Sequence, residues 1–197
     1  MSFTKSVIAA AFLCTSIGVQ ASFISLSDQE VADMLPGEIT GVGPDTKTTK
    51  TFFGTGEAKF TSTWQFLQGD PNAGLQQARV VATGLDLDYT ADYLALSIEN
   101  VNENAWDFFI GAIDMNGNIV ESSAFNIAVD ATQVITVSLA GLDSNIETVA
   151  VAVEGILPLP GQDRTAEYWV RNVPEPGTVA LLGLGLIGLG LSRRQAK

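Results

Sequence analysis

The sequence predicts an all-β protein: an antiparallel β-sandwich, jelly-roll-like, with a short N-terminal helix and a C-terminal hydrophobic helix. Three observations lead there. Apolar residues recur with period two over eight or so short segments, the spacing that sends alternate side chains to opposite faces of a strand. Turn-forming residues punctuate the chain about every 8–12 residues. Strand-like and helical segments do not alternate, which argues against a parallel sheet wrapped in helices.

The helix comes first. Ser27 and Glu30 have the spacing of a capping box ahead of Val31-Ala32-Asp33-Met34-Leu35, and Pro36-Gly37 stops it. Residues 37–57 are rich in Gly, Thr, Pro and Lys with few apolar side chains, and read as a long loop or mobile arm. From Lys59 the strands begin. Phe60, Trp64 and Phe66 alternate with Thr61, Thr63 and Gln65, giving one buried and one wet face. Val80 and Ala82 share a phase that resumes at Leu85, Leu87 and Tyr89, a slip that places a bulge at Gly84. Leu94–Ile98 alternates, and Phe108–Ile113 is a continuous apolar run that suggests a strand covered on both sides. Asn116-Gly117 marks a tight hairpin into Ile119–Ile127. Val134–Leu139, Val149–Val153 and Tyr168–Val170 complete the set.

Both ends of the chain read as processing segments. Lys5 precedes the apolar run Val7–Leu13, and Val19-Gln20-Ala21 supplies the small and β-branched residues a signal peptidase accepts. Residues 1–21 are therefore a secretory signal, with cleavage expected between Ala21 and Ser22. At the other end Val173-Pro174-Glu175-Pro176 is followed by the uncharged stretch Thr178–Leu191 and then Arg193-Arg194. As a helix, residues 178–191 span about 21 Å, short for a permanent anchor of about 17–25 residues. The glycines weaken it further. The arginines form a basic stop that stays on the cytoplasmic side. A weak anchor ending in cations suits a tail that holds a precursor until it is cut.

This three-part order resembles the PEP-CTERM sorting signal. The resemblance implies export, recognition of the Pro174-Glu175-Pro176 motif by an exosortase-type processing enzyme of a Gram-negative bacterium, and removal of the tail. It further implies an inner-membrane precursor and residence at the cell surface or in the biofilm matrix. The chain then divides into the signal peptide 1–21, a short helix and flexible arm 22–57, a β-sandwich domain 58–172 and a sorting signal with transmembrane helix 173–197.

Composition narrows the chemistry. The 197 residues contain no histidine and one cysteine, Cys14, inside the apolar signal. A Ser-His-Asp triad, a Cys-His pair and an imidazole-ligated zinc are excluded. Residues 22–172 carry 6 bases and 21 acids, a net charge of −15. That charge opposes nucleic acid, and opposes anionic polysaccharide unless cations bridge. No cofactor is expected, calcium being the one alternative. Asp86 and Asp88 share a strand face with Asp92 just beyond, and Asp114–Asn118 offers a D-x-N-G-N loop, which reads better as a hairpin turn because Phe125 stands where a calcium loop needs its twelfth-position glutamate. Glu99, Glu103 and Asp107 form another acidic loop.

Of three tryptophans, Trp64 is in phase with Phe60 and Phe66 and belongs to the core. Trp106 follows the polar run Glu99–Asn104 and is the candidate for stacking on a sugar ring. Trp169 is out of phase with Tyr168 and Val170, so one of the two sets faces outward. The expected function is a non-catalytic surface or matrix component acting by adhesion or exopolysaccharide binding. The alternative is a secreted glycan hydrolase using acidic residues, and it requires Asp86 or Asp88 to sit in a cleft near another carboxyl.

Overall fold

The computed structural model describes residues 22–37, 46–64, 75–102, 104–156 and 164–174. The expected signal peptide 1–21, the sorting residues Glu175 and Pro176, the apolar stretch 178–191 and the expected basic stop Arg193-Arg194 lie outside the described residues. Among those described, no helix is long and apolar enough to cross a membrane.

The capping box forms as the spacing requires. Glu30 N–H donates to Ser27 Oγ, and Ser27 N–H donates to Glu30 Oε2 at 2.6 Å. The resulting helix α1 (Asp28–Asp33) buries Val31, and Met34 follows as its buried C-cap. It sits between two minimal strands, β1 (Phe23–Ile24) and β2 (Leu35–Pro36).

Among the described residues ten further strands follow: β3 (Thr46–Gly54), β4 (Glu57–Trp64), β5 (Leu75–Leu87), β6 (Tyr93–Asn100), β7 (Trp106–Asp114), β8 (Ile119–Glu121), β9 (Phe125–Ile127), β10 (Thr132–Ser138), β11 (Ile146–Ile156) and β12 (Arg164–Arg171). One sheet runs β1-β6-β12-β4-β3, with β10 also on β6; the other runs β2-β5-β11-β7-β8, with β9 also on β7. From β4 to β7 and again from β9 to β12 the chain passes from sheet to sheet at each step, in jelly-roll fashion. Among the described residues the named strands pair antiparallel except for the two-residue contact of β1 with β6. The protein is an antiparallel β-sandwich.

Strict alternation fills the space between the sheets. In β4, β7 and β12 every second residue is buried. Tyr168 stacks on Phe60 at 5.8 Å and meets Phe108 edge-on at 5.3 Å, so one ring ties both sheets together. The slip at Gly84 is a bulge as read: its φ is +71°, and the β5–β11 register shifts between Leu87–Ile146 and Thr83–Thr148.

Two expectations change. Residues 46–54, read as part of the arm, are the edge strand β3, paired with β4 along its length. Threonine is a strand former, and an edge strand needs little apolar content, so the polar Thr-Lys pattern concealed it. The run Phe108–Ile113 is covered on one side only. Phe108, Ile110 and Ala112 are buried, whereas Phe109, Gly111 and Ile113 stay half-exposed on the outer face.

Candidate functional site

The outer face of the first sheet is a row of alternate residues from β3, β4, β12 and β6. On β12, Tyr168 and Val170 turn inward, so Glu167, Trp169 and Arg171 turn outward. Register sets Trp169 between Lys59 of β4 and Glu99 of β6. Phe52 of β3 stands opposite Lys59 and meets the Trp169 ring edge-on at 5.3 Å.

Ion pairs hold the surroundings of that indole. Lys59 Nζ donates to Glu167 Oε2 at 2.7 Å. Arg171 Nε donates to Glu57 Oε2 at 3.1 Å and its Nη1 to Glu99, while its guanidinium lies 5.1 Å from the Trp169 ring centre. Burial alone would lower the Arg171 pKa; the two carboxylates outweigh it and hold the pKa raised. Such half-exposed pairs stabilise by about 0–1 kcal/mol each, and their role here is to fix polar groups around a ring. Toward the other end of the face come Thr61, Thr63 and Thr165, with the Thr63 and Thr165 hydroxyls 3.4 Å apart.

Charge is distributed unevenly. Of the six bases in residues 22–172, Lys47, Lys50, Lys59, Arg164 and Arg171 all lie on β3, β4 and β12, strands that carry only Glu57 and Glu167 as acids. These strands are therefore net +3, and the rest of residues 22–172 carries −18. The arrangement can receive a flat, hydroxyl-rich ligand: an aromatic ring for stacking, with paired donors and acceptors at its edges.

The sequence-predicted residues fall elsewhere. Trp106 is 3% exposed and stacks on Trp64 at 5.0 Å with 16° between planes, so it offers no face to a sugar. It opens β7 in phase with Phe108 and Ile110, which direct it into the core. Asp86 and Asp88 are both exposed. Asp86 accepts from Asn145 Nδ2 at 2.7 Å, and Asp88 accepts from Thr90 N–H at 2.8 Å, a bond that lowers its pKa. Asp92 binds Ser22. The acidic pair thus lies on open surface rather than in the cleft that a hydrolase needs.

The D-x-N-G-N loop is a turn organised by Asp114. Burial would raise the Asp114 pKa, but N–H groups of Asp143, Asn118 and Asn116 and the Asn118 amide donate to its carboxylate, at 2.8–3.0 Å, and hold it well below the usual range. Of the other acidic loop, Glu99 pairs with Arg171 and Asp107 accepts from Asn126, while Glu103 lies outside the described residues. Among the described residues no three ligating side chains group to hold a metal.

The site residues that the sequence did not reveal are Lys59, Glu167 and Arg171, and Glu99 was read only as part of an acidic loop. A signal was present on β12, where Glu167, Trp169 and Arg171 place charge, ring and charge on alternate positions. The partners on β4 and β6 come from register alone.

At the C-terminal end of the sandwich Val173 N–H donates to Ser25 Oγ at 2.9 Å, and Pro174 is exposed. The model of the PEP-CTERM protein-sorting motif matches residues 172–194. The chain carries that motif, which marks an exported protein. No curated protein matches the chain. Among solved structures it is similar to a family 11 carbohydrate-binding module from Clostridium thermocellum in complex with a mixed-linked tetrasaccharide, with 14% identity and a TM-score of 0.45 over 75% of this chain and 91% of that one. It is similar to an agarase at 11% identity and a TM-score of 0.44, over 70% of this chain and 22% of the agarase. A third likeness is to a protein with carbohydrate-binding modules of the β-sandwich superfamily, at 15% identity and a TM-score of 0.43, over 72% of this chain and 56% of that one. The chain thus spans only a small part of the agarase.

Proposed function

We propose that this is an exported, exosortase-processed protein of the cell surface or biofilm matrix whose sandwich is a non-catalytic polysaccharide-binding module, gripping its ligand on the face centred on Trp169. The observation that carries the reading is the outward Trp169 held between Lys59, Glu167, Arg171 and Glu99. An aromatic ring stacks on the apolar face of a pyranose, and fixed charged groups at its rim bond the hydroxyls. A rigid site loses little entropy on binding.

Release follows from the order along the chain. Val173 N–H still bonds the sandwich through Ser25 Oγ, and the Pro-Glu-Pro sequence that follows disfavours helix, which suits recognition by a processing enzyme.

The test is affinity electrophoresis of residues 22–174 through neutral and acidic polysaccharides. Retardation by at least one, lost in Trp169→Ala while the thermal midpoint holds, supports the reading. Free migration through the whole panel, or retardation unchanged by Trp169→Ala, removes it.

A further inference from the structure

The chain enters the sandwich at Ser22 against a single carboxylate. Ser22 N lies 2.7 Å from Asp92 Oδ2, and Ser22 Oγ donates to the same oxygen at 3.0 Å. The contact is reciprocal. Asp92 N–H reaches both Ser22 Oγ and Ser22 carbonyl oxygen at 3.1 Å, and Tyr93 N–H shares that carbonyl at 3.2 Å. Phe23 and Ile24 then lie parallel to Tyr93 and Leu94, starting β1. Asp92 is itself fixed, since Leu139 N–H donates to its carbonyl at 3.1 Å. Among the described residues no lysine or arginine pairs with Asp92. Its side chain is committed to Ser22.

In the precursor the Ser22 nitrogen is a neutral amide with one proton. Cleavage after Ala21 hydrolyses the Ala21–Ser22 peptide bond: water adds, Ala21 leaves with a carboxylate, and Ser22 keeps an amine that is protonated at neutral pH. The same atom, at the same place, becomes a cation with three donors. We propose that Asp92 is the built acceptor for the mature N-terminus, so that signal-peptide removal creates an ion pair and docks β1 more firmly in the mature chain than in the precursor. A hydrogen bond charged on both sides replaces one charged only on its acceptor. The inference rests on the expected cleavage position and is independent of the polysaccharide face.

The experiment is a four-chain cycle over residues 22–174: Ser22 with a free or an acetylated amine, each with Asp92 or with Asp92→Asn. Acetylation restores the amide that the precursor has. With the wild-type carboxylate, the free amine should raise the thermal midpoint at pH 6.5 by about 1–4 °C over the acetylated chain. That gain should vanish in Asp92→Asn and shrink in 0.5 M salt, about where screening shortens to a few ångströms. The wild-type pair of chains needs no mutation, so the comparison stands even if Asp92→Asn folds poorly. Equal midpoints for the free and acetylated wild-type chains would overturn the proposal, as would a gain that persists in Asp92→Asn.

Discussion

On one side of the sandwich the outward row across β4, β12 and β6 reads Lys59, Trp169, Glu99. On the other side the row across β5, β11 and β7 reads Arg79, Ala152, Phe109. Both rows follow the same alternation, yet the first puts its largest side chain on the central strand and the second its smallest. Ala150, Ala152 and Gly111 make the floor of a trough of about 250 Å³, walled by Phe109, Ile113 and Arg79. A tall centre with charged flanks makes a platform; a small centre with tall flanks makes a hollow. Polarity follows the same division. The platform is surrounded by ion pairs, whereas the trough has an apolar floor and turns its one cation toward Gln77, which Arg79 Nη2 bonds at 3.2 Å.

The sharpest way to break the comparison is to exchange what is buried for what is presented. Trp106→Ala should destabilise the domain by about 3–5 kcal/mol, because it empties a closed stack with Trp64. Chemical denaturation checks this. Trp169→Ala should leave the denaturation midpoint within about 1 kcal/mol and weaken polysaccharide binding by about 10- to 100-fold, or about 1.4–2.8 kcal/mol. Filling the trough with Ala152→Leu should not touch binding. If the Leu variant weakens binding and the Trp169 variant does not, the two faces have been assigned the wrong way round.

Backbone and pH effects are smaller and concern both faces equally. Gly84→Ala places a side chain at φ +71° with open space around it, so only strain acts, costing about 1 kcal/mol. The pKa of Asp114 is depressed in the fold, so its contribution is present above the unfolded carboxylate pKa near 3.9 and is lost as pH falls through the folded value. A plot of midpoint against pH should therefore fall more steeply at acid pH in the wild type than in Asp114→Asn. Replacing Pro174-Glu175-Pro176 by alanines has the least effect on the fold, no more than about 0.5 kcal/mol, since Pro174 is exposed. It should nonetheless leave an uncut, membrane-held precursor, detected by its mass in the cell fraction.

Features set by neighbours in sequence were legible. Ser27 and Glu30 form one turn of backbone, Gly84 marks its own phase slip, and Trp64 shares a phase with Phe60 only four residues away. The inward turn of Trp106 was written in its spacing from Phe108 and Ile110, but the unbroken apolar run hid the alternation. The site was not legible, because its parts meet through register across long separations. Lys59 meets Glu167 across 108 residues, and Arg171 meets Glu99 across 72. Net charge misled for the same reason, since an average of −15 gives no sign that five of six bases share three strands.

Tryptophan fluorescence quenching tests the central claim most directly. Trp64 and Trp106 are buried at 1% and 3% exposure, so Trp169 is the one indole a soluble quencher reaches. Acrylamide should quench a single accessible component in the free mature chain, and a bound polysaccharide should protect it. Trp169→Ala should abolish both the accessible component and the protection. A polysaccharide that binds while leaving Trp169 as open to acrylamide as before would contradict the account.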